Sequence, residues 1–189
     1  MKKIIVLLFC FLFVLTACSD KTDTNVTELN EENYASYVGA GEMTLINILV
    51  NSNAGFVNDV FIKNHLAVDE KAAIANEQGT FAPVISDSYK TLADLRAHLS
   101  STYTETTVDS VLNEHKEYVD IDGKLYLNTN SAATDYGFDW SSPSVSATIG
   151  SDGKYEIKIT IKDSKGKDYD VTAYAVTENG SLKLENIYY

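Results

Sequence analysis

Residues 89–140 read YKTLADLRAHLSSTYTETTVDSVLNEHKEYVDIDGKLYLNTNSAATDYGFDW, and this stretch decides how the chain folds. It contains two short helical patterns, a tight hairpin and an acidic loop, each directly after the last. None of these elements carries the residue spacing of a catalytic constellation. The stretch therefore favours a protein that binds or inhibits a partner over one that performs chemistry.

The first half of this stretch predicts two consecutive helices. Thr91 followed by Asp94 matches a capping box with aspartate in the position that glutamate usually takes, and a second helix start follows at Thr104. The simplest arrangement joins the two helices at Tyr103–Thr104. Each helix has one apolar face, which predicts that each packs against a core on one side only. The apolar positions are Leu92, Leu95 and Leu99 in the first helix and Val108, Val111 and Leu112 in the second.

The second half predicts a β-hairpin followed by a polar loop. Two short strands flank Asp122-Gly123, a pair typical of the type I′ turn, in which both central residues have positive φ. Residues 128–142 are too polar and too irregular for a helix or a strand, and they contain Asp135, Asp139 and no basic residue. Loops of this length are usually functional or disordered. Two interpretations stay open, a solvated loop with incidental charge or a contact site.

The C-terminal part of the chain predicts four antiparallel strands in a meander. Apolar and polar residues alternate, as along 155–161, and turn pairs stand at Asp152-Gly153 and Asn179-Gly180. Strict alternation indicates that one face of the sheet is covered and the other is solvated. The predicted fold class is therefore α+β, with N-terminal helices packed on a curved antiparallel sheet that comprises the hairpin and the C-terminal four-strand meander.

The segments between the N-terminus and this stretch predict less regular structure. Residues 29–51 fit a helix that bends or breaks at its glycines, while residues 56–66 are apolar without a clear helical or strand period. Residues 69–77 predict a short helix capped by the aspartate at their start. Residues 81–85 resemble a strand, which Pro83 restricts to a sheet edge or to an irregular segment.

The first residues of the chain predict a secreted lipoprotein. Two lysines, an apolar run and the sequence Leu15-Thr16-Ala17-Cys18 match a signal peptide that ends in a lipobox, at which the cysteine is acylated. Residues 1–17 are then the signal peptide, residues 18–28 the acylated cysteine with a flexible tether, and residues 29–189 a single domain. Cleavage after Ala17 without lipid is the alternative. The predicted location is the outer face of the cytoplasmic membrane, and no free thiol remains there.

The charge balance narrows the class of partner. The chain has a net charge of −12, and removal of Lys2 and Lys3 with the signal peptide leaves 13 basic against 27 acidic residues, a net charge of −14. Such a balance argues against nucleic acid and anionic lipid head groups as partners, and it favours a cationic partner or simple solubility. Between residues 109 and 139, seven acids face only Lys116 and Lys124, which predicts an acidic side of the molecule.

No residue pattern predicts a catalytic, metal or cofactor site. His65, His98 and His115 are isolated in sequence and lack ligand spacing, so each reads as an ordinary helix or surface residue. The DIDG sequence at residues 120–123 resembles part of a calcium loop, but its glycine comes too early and no closing glutamate follows. No serine stands in the GxSxG or SxxK setting of a nucleophile. We therefore expect no enzyme activity, no cofactor and no metal.

Three features together resemble a known family. They are the helix sequence KTLADLRAHLSSTYT, the hairpin sequence EYVDIDGKLYL with its Gly123-Lys124-Leu125, and a loop that leads to Trp140. In this order they are similar to the IseA (YoeB) family, whose members inhibit bacterial D,L-endopeptidases. The resemblance covers residues 33–150 well and the meander loosely. It implies a mixed helix and sheet fold.

The resemblance also implies a mechanism and a partner. Members of the family inhibit NlpC-type cell-wall peptidases with an acidic loop that enters the positively charged active-site cleft and covers its cysteine and histidine. On this chain the corresponding loop is 128–140, and its implied contact residues are Asp135, Tyr136, Phe138, Asp139 and Trp140. The implied partner is the catalytic domain of a cell-wall endopeptidase, bound by a monomer in a Gram-positive bacterium.

One feature departs from the family pattern. Secreted members carry a plain signal peptide, whereas this chain has Cys18 in a lipobox, which predicts a membrane-tethered version. The alternative function is that of a non-catalytic envelope lipoprotein that binds a small ligand or an assembly partner. A deep apolar cavity between the helices and the meander would favour that alternative.

Overall fold

The computed structural model describes residues 37–63, 65–133 and 136–186. The predicted signal peptide, Cys18, the tether, the first part of the predicted 29–51 helix and Asp135 lie outside these residues. The helices are α1 (Ala40–Phe56), α2 (Leu92–Thr102) and α3 (Glu105–Glu114), with a π-helical turn at Val57–Ile62 and a 3-10 turn at Glu70–Ala72. The strands are β1 (Ile74–Asn76), β2 (Gly79–Pro83), β3 (Tyr118–Ile121), β4 (Lys124–Asn128), β5 (Phe138–Ile149), β6 (Tyr155–Asp163), β7 (Asp168–Glu178) and β8 (Ser181–Leu184).

The strands form two antiparallel sheets, and the predicted α+β class is confirmed. The first sheet has the order β1-β2-β4-β3 and the second the order β5-β6-β7-β8, which is the predicted meander. The hairpin β3–β4 pairs with β2 in the first sheet, through Phe81 opposite Asn128, and does not extend the meander. Asp122 and Gly123 have φ values of 49° and 73°, as the type I′ turn requires.

Helix α1 lies in the concave side of the second sheet. It contacts both edge strands, β5 and β8, so the sheet curls round it. Its buried side includes Ile46 and Val50, which are completely covered. The start of the helix is fixed by Glu42, whose carboxylate accepts hydrogen bonds from the Gly39 N–H at 2.9 Å and the Tyr155 hydroxyl at 2.7 Å.

The glycines do not break α1 as predicted, because one precedes it and another stands in its first turn. There the loss of helix propensity has little effect on the turns that follow. The segment Ala40–Ile62 is long and apolar enough to cross a membrane, yet 53% of its most apolar window is buried inside the domain. In this structure it therefore serves as the core helix.

The π-helical turn explains why the end of this segment fits no ordinary period. From Val57 to Ile62 the hydrogen bonds reach one residue further than in an α-helix, as in the bond from the Lys63 N–H to the Asn58 carbonyl oxygen at 2.9 Å. Phe61 and Ile62 are both buried. A wider turn spreads apolar residues differently round the axis, so neither the helical nor the strand pattern matches.

Two predictions between α1 and α2 are wrong. Asp69 does cap a helical turn, through a bond from the Lys71 N–H, but the turn spans three residues and is followed by the hairpin β1–β2. Strand β2 is an interior strand, with Pro83 as its last residue. At that position a missing N–H leaves the rest of the ladder intact, so proline did not require an edge.

The joint between α2 and α3 is as predicted. Thr91 and Asp94 form a complete capping box, and Thr104 caps α3. Tyr103 at the joint is 1% exposed, and its hydroxyl donates a hydrogen bond to the side-chain oxygen of Asn53 at 2.5 Å. The next N–H, that of Thr104, donates to the Leu184 carbonyl oxygen at 2.9 Å. The joint is thus connected to both α1 and β8.

Candidate functional site

The connection from β4 to β5 is shorter than the predicted 128–142 loop. Strand β4 ends at Asn128 and β5 already begins at Phe138. The Thr129 N–H donates to the Thr80 carbonyl oxygen at 2.8 Å, and the Ser131 N–H donates to the Asn128 carbonyl oxygen at 3.0 Å. The first part of the connection is therefore attached to the first sheet.

The aromatic residues of the predicted contact site differ in accessibility. Tyr136 is 51% exposed. Phe138 is partly buried, and its ring stacks on that of Tyr169 with 4.7 Å between the centroids. Trp140 is 8% exposed and belongs to the core, so the prediction that it is an exposed anchor is wrong. The reason is its position in β5, where the alternation of side chains directs it, like Phe138 two residues earlier, to the covered face.

Asp139 is exposed but has a local structural task. Its carboxylate accepts a hydrogen bond from the Ser141 N–H at 2.9 Å. The bonds from the backbone and side chain of Ser141 lower the pKa of Asp139, and the positive charge of Lys63 lowers it slightly further. The second predicted charge of the loop, Asp135, lies outside the described residues.

A polar groove of about 370 Å³ separates the π-helical turn from the start of β5. Its helical side carries Asn58, Asp59 and Lys63, and its strand side carries Asp139 and Ser141. The pairing of β5 with β6 shifts register between Asp139 and Ser144, so a bulge faces the π-helical turn across the groove. Both irregularities occur preferentially near functional sites.

A second pocket, of about 230 Å³, brings together residues that looked isolated in sequence. His65, His115, Glu117 and Tyr136 all line it, with Ser131 at its wall. The His115 Nδ1 lies 3.0 Å from Glu117 Oε1, and the two side chains are 16% and 12% exposed. A carboxylate in this position orients an imidazole.

The chemistry of this pocket is limited. Ser131 has no hydrogen bond to His115, so a nucleophile and base are not paired there. Within residues 37–63, 65–133 and 136–186, no group of three or more His, Cys, Asp or Glu side chains is arranged to hold a metal ion. The third histidine, His98, stacks on Phe56 away from this pocket, and burial lowers its pKa.

The groove and the pocket together make up what we call the junction site. We define it as the π-helical turn with Lys63 and His65, together with residues 136–141. The turn contributes Asn58 and Asp59 to the groove and Phe61 and Ile62 to the pocket. The predicted contact residues Tyr136, Phe138, Asp139 and Trp140 belong to this site, whereas the contribution of the π-helical turn was not predicted; its one signal in the sequence was the lack of a regular period.

The acidic side of the molecule is partly neutralised by local bonds. Arg96 pairs with Glu105 at 2.9 Å and with Asp109 at 2.7 Å. Asp120 accepts a hydrogen bond from the Leu92 N–H at the start of α2, at 2.7 Å. The number of acidic residues therefore overstates the negative potential on this side of the molecule, because several carboxylates cap helices or pair with cations.

A further cavity, of about 700 Å³, lies beside the hairpin turn. Asp69, Asp87, Lys90 and Lys124 line it together with Ile85, which is 63% exposed. It is an open cleft of mixed polarity near the first sheet. It differs from the apolar cavity between helices and meander that the alternative function would favour.

Comparison of the chain with protein-family models and with curated proteins gives no match. The inference of function therefore depends on the junction site and on the motif resemblance. The motifs adopt ordered positions, with KTLADLRAHLSSTYT in the capped helix α2 and GKLYL in β4.

Proposed function

We propose that this protein is a non-catalytic, membrane-anchored inhibitor of NlpC-type D,L-endopeptidases, acting on the outer face of the cytoplasmic membrane. The observation that carries the proposal is the exposure of Tyr136 at the junction site, in the segment that corresponds to the inhibitory loop of the IseA family. Exposed aromatic side chains beside polar grooves are typical anchors of protein–protein interfaces.

The shape and charge of the junction site support protein binding. Tyr136 lines the pocket, and Asp59 and Asp139 line the neighbouring groove with Lys63 as the opposing charge. A chain with a net charge of −12 is attracted to a positively charged peptidase cleft over a distance set by the ionic strength. Trp140 supports the site from the core, while Tyr136 and Asp139 are the residues that a partner can reach.

The predicted lipid at Cys18 would restrict the inhibitor to peptidases near the membrane. Lipoproteins carry two or three acyl chains, and each buried methylene contributes about 0.8 kcal/mol, so such an anchor is stable. A tethered inhibitor would therefore protect newly made wall next to the membrane and leave older wall open to hydrolysis.

An inhibition assay tests the proposal. The acylated protein, purified in detergent, is added to an NlpC-type endopeptidase, and hydrolysis of a D,L-linked wall peptide is measured as the salt concentration rises. We expect inhibition at micromolar protein and low salt, with the apparent Kd weakening at least tenfold between about 50 and 500 mM salt as surface charges are screened. Full peptidase turnover at low salt and micromolar inhibitor would contradict the proposal.

Matched variants distinguish a contribution of the junction site from the effect of removing any exposed aromatic ring or carboxylate. Tyr136→Ala and Asp139→Asn should each weaken inhibition, the aromatic truncation by about tenfold or more. The controls are Tyr174→Ala and Glu156→Gln, which make the same changes at exposed positions on the outer face of the meander. Equal losses of inhibition in the test and control variants would indicate that the contact surface lies elsewhere.

We propose ligand binding by an envelope lipoprotein as the second candidate, because the cleft of about 700 Å³ has the size of a small-molecule site. Lys90 and Lys124 on one side and Asp69 and Asp87 on the other would suit a zwitterionic ligand. A rise in Tm with zwitterionic wall peptides, abolished by Lys124→Gln and unaffected by Tyr136→Ala, would favour this candidate.

A further inference from the structure

One face of this acidic protein carries no charge. Between Met43 and Asn58 no charged residue occurs, and none occurs from Ser141 to Gly150, although 22% of the whole chain is charged. The helical stretch is not fully buried, since Leu45 is 51% and Ile48 is 55% exposed. Surface helices usually present charged residues to water, so the uncharged exposed side of α1 indicates a further role for this face.

The two uncharged stretches lie side by side. At one end, the Glu42 carboxylate near the start of α1 binds the hydroxyl of Tyr155, which pairs with Ile149 at the end of β5. At the other end, Asn58 after α1 faces Ser141 near the start of β5 across the groove. The helix therefore runs antiparallel to β5. We call the exposed side of α1 at Leu45 and Ile48, together with β5 residues 144–149, the neutral face.

The edge of β5 within this face has unused backbone groups. The Gly150 N–H donates a hydrogen bond to the Lys154 carbonyl oxygen. This bond fixes which residues of β5 point their backbone groups toward β6 and which point them away, since the two directions alternate along a strand. Val145, Ala147 and Ile149 consequently direct their N–H and C=O groups away from β6. Within the described part of the chain, these groups make no other hydrogen bond.

This edge also lacks the usual protection against pairing with another strand. Edge strands are normally interrupted by charges, proline or a bulge. Pro143 and the bulge precede the exposed stretch, and residues 144–149 read SVSATI, a sequence with high β propensity. The opposite edge strand, β8, is instead attached to the helix joint through Leu184.

The side chains under this edge are incompletely covered. Val145, Ala147 and Ile149 point to the same face as Ile157 and Ile159 of β6, which are completely buried, yet all three are only partly buried. An additional strand beside β5 would cover them and would satisfy the free backbone groups at the same time.

We infer that a second copy of this chain occupies the neutral face, with β5 of each copy paired antiparallel about a twofold axis. Each copy carries a net charge of −12, so two copies repel wherever charged surfaces meet. The neutral face is where they can approach without that repulsion. Antiparallel edge pairing is self-complementary, as a twofold interface requires.

This inference goes beyond the proposed function and does not depend on it. The neutral face does not include Tyr136 or Asp139, so a dimer can form whether or not the protein inhibits a peptidase. Failure of the inhibition assay would leave the dimer intact, and failure of the dimer test would leave inhibition intact.

Co-purification tests the inference on the full chain. Two differently tagged copies are expressed in the same cells, extracted in mild detergent, and one tag is captured while the other is measured. We expect recovery of the second tag, reduced at least tenfold by Ala147→Pro in both copies. That substitution removes an outward N–H and leaves the bonds to β6 intact. Equal recovery with Ala147→Pro, or no recovery with the unchanged chain, would overturn the inference.

A charge exchange provides a second test that does not alter the backbone. Ser146 is exposed on β5, and a charge there faces the same strand of the other copy. Ser146→Lys in both copies, or Ser146→Glu in both, should abolish co-purification, whereas one copy of each should restore it. Thr172→Lys and Thr172→Glu, on the interior strand β7, are the controls and should change nothing. Failure of the mixed pair to restore recovery would argue against a twofold pairing of β5.

Discussion

The hydroxyl group of Tyr118 on β3 donates a hydrogen bond to the carbonyl oxygen of Val60 in the π-helical turn, at 2.6 Å. The hydroxyl oxygen of Tyr118 in turn accepts a bond from the Leu66 N–H at 3.0 Å, and burial raises the pKa of Tyr118 well above its usual value. One buried phenol therefore holds both sides of the turn against the first sheet. The geometry of the junction site depends on this contact.

Removal of this hydroxyl should destabilise the fold. Tyr118→Phe leaves the Val60 carbonyl and the Leu66 N–H without their partner, which costs about 1–3 kcal/mol for buried groups. Chemical unfolding in urea measures the loss. The control is Tyr126→Phe on β4, since the described residues provide no hydrogen bond to that hydroxyl. Similar stability of Tyr118→Phe and the unchanged protein would mean that the turn is held by packing alone.

The capping box of α2 predicts a specific pH dependence. Bonds from the Lys90 N–H and from Thr91 lower the pKa of Asp94 below its ordinary 3.8. A carboxylate with a lowered folded-state pKa stabilises the fold above its unfolded-state pKa, and this contribution disappears as the pH falls through the folded-state value. Asp94→Asn should therefore lower the Tm at pH 7, and the difference should shrink as the pH falls below 3.8, the ordinary pKa of this group, toward its lower folded-state value. A difference independent of pH would exclude ionisation as its source.

Two glycines should respond in opposite directions to alanine. Gly55 lies in α1 with no neighbouring atom near an added Cβ, so Gly55→Ala should stabilise the protein by up to about 1 kcal/mol. Gly123 has a φ of 73°, so Gly123→Ala should destabilise by about 1–2 kcal/mol. Urea midpoints measure both changes. Because Gly55 also lines the groove, Gly55→Trp should weaken inhibition without loss of stability.

The core position of Trp140 predicts a change in stability rather than in binding alone. Trp140→Ala should cost about 3–5 kcal/mol, as truncations of buried aromatic residues do. Trp140→Phe should cost less, since most of the apolar volume remains. Thermal unfolding followed by circular dichroism provides the measurement. An unchanged Tm together with lost inhibition would instead identify Trp140 as a contact residue.

The features predicted correctly from sequence are those set by neighbouring residues. The capping box of Thr91 and Asp94 and the turn at Asp122-Gly123 each depend on only a few adjacent residues. Tertiary packing therefore does not change their conformation. Strand β1 was missed because its alanine-rich sequence favours a helix, and pairing with β2 overrides that preference.

The junction site could be predicted only in part. Residues 136–141 stood out by composition, but the direction of Trp140 depends on the residue at which β5 begins, since successive side chains alternate between faces. His65 and His115 line the same pocket because the π-helical turn packs on β3, through the rings of Phe61 and Tyr118. No local pattern encodes that contact.

The bond from Thr104 to Leu184 has a consequence for the order of folding. It joins positions 104 and 184 of the chain, and the Lys183 ammonium group adds bonds to the carbonyl oxygens of Ser100 and Ser101 at the end of α2. During synthesis, β8 emerges after the other described elements, so the joint between α2 and α3 cannot be completed earlier. Long-range contacts of this kind slow folding. A chain that lacks β8 would therefore leave this joint open and more susceptible to proteases, so completion of the joint depends on synthesis of β8.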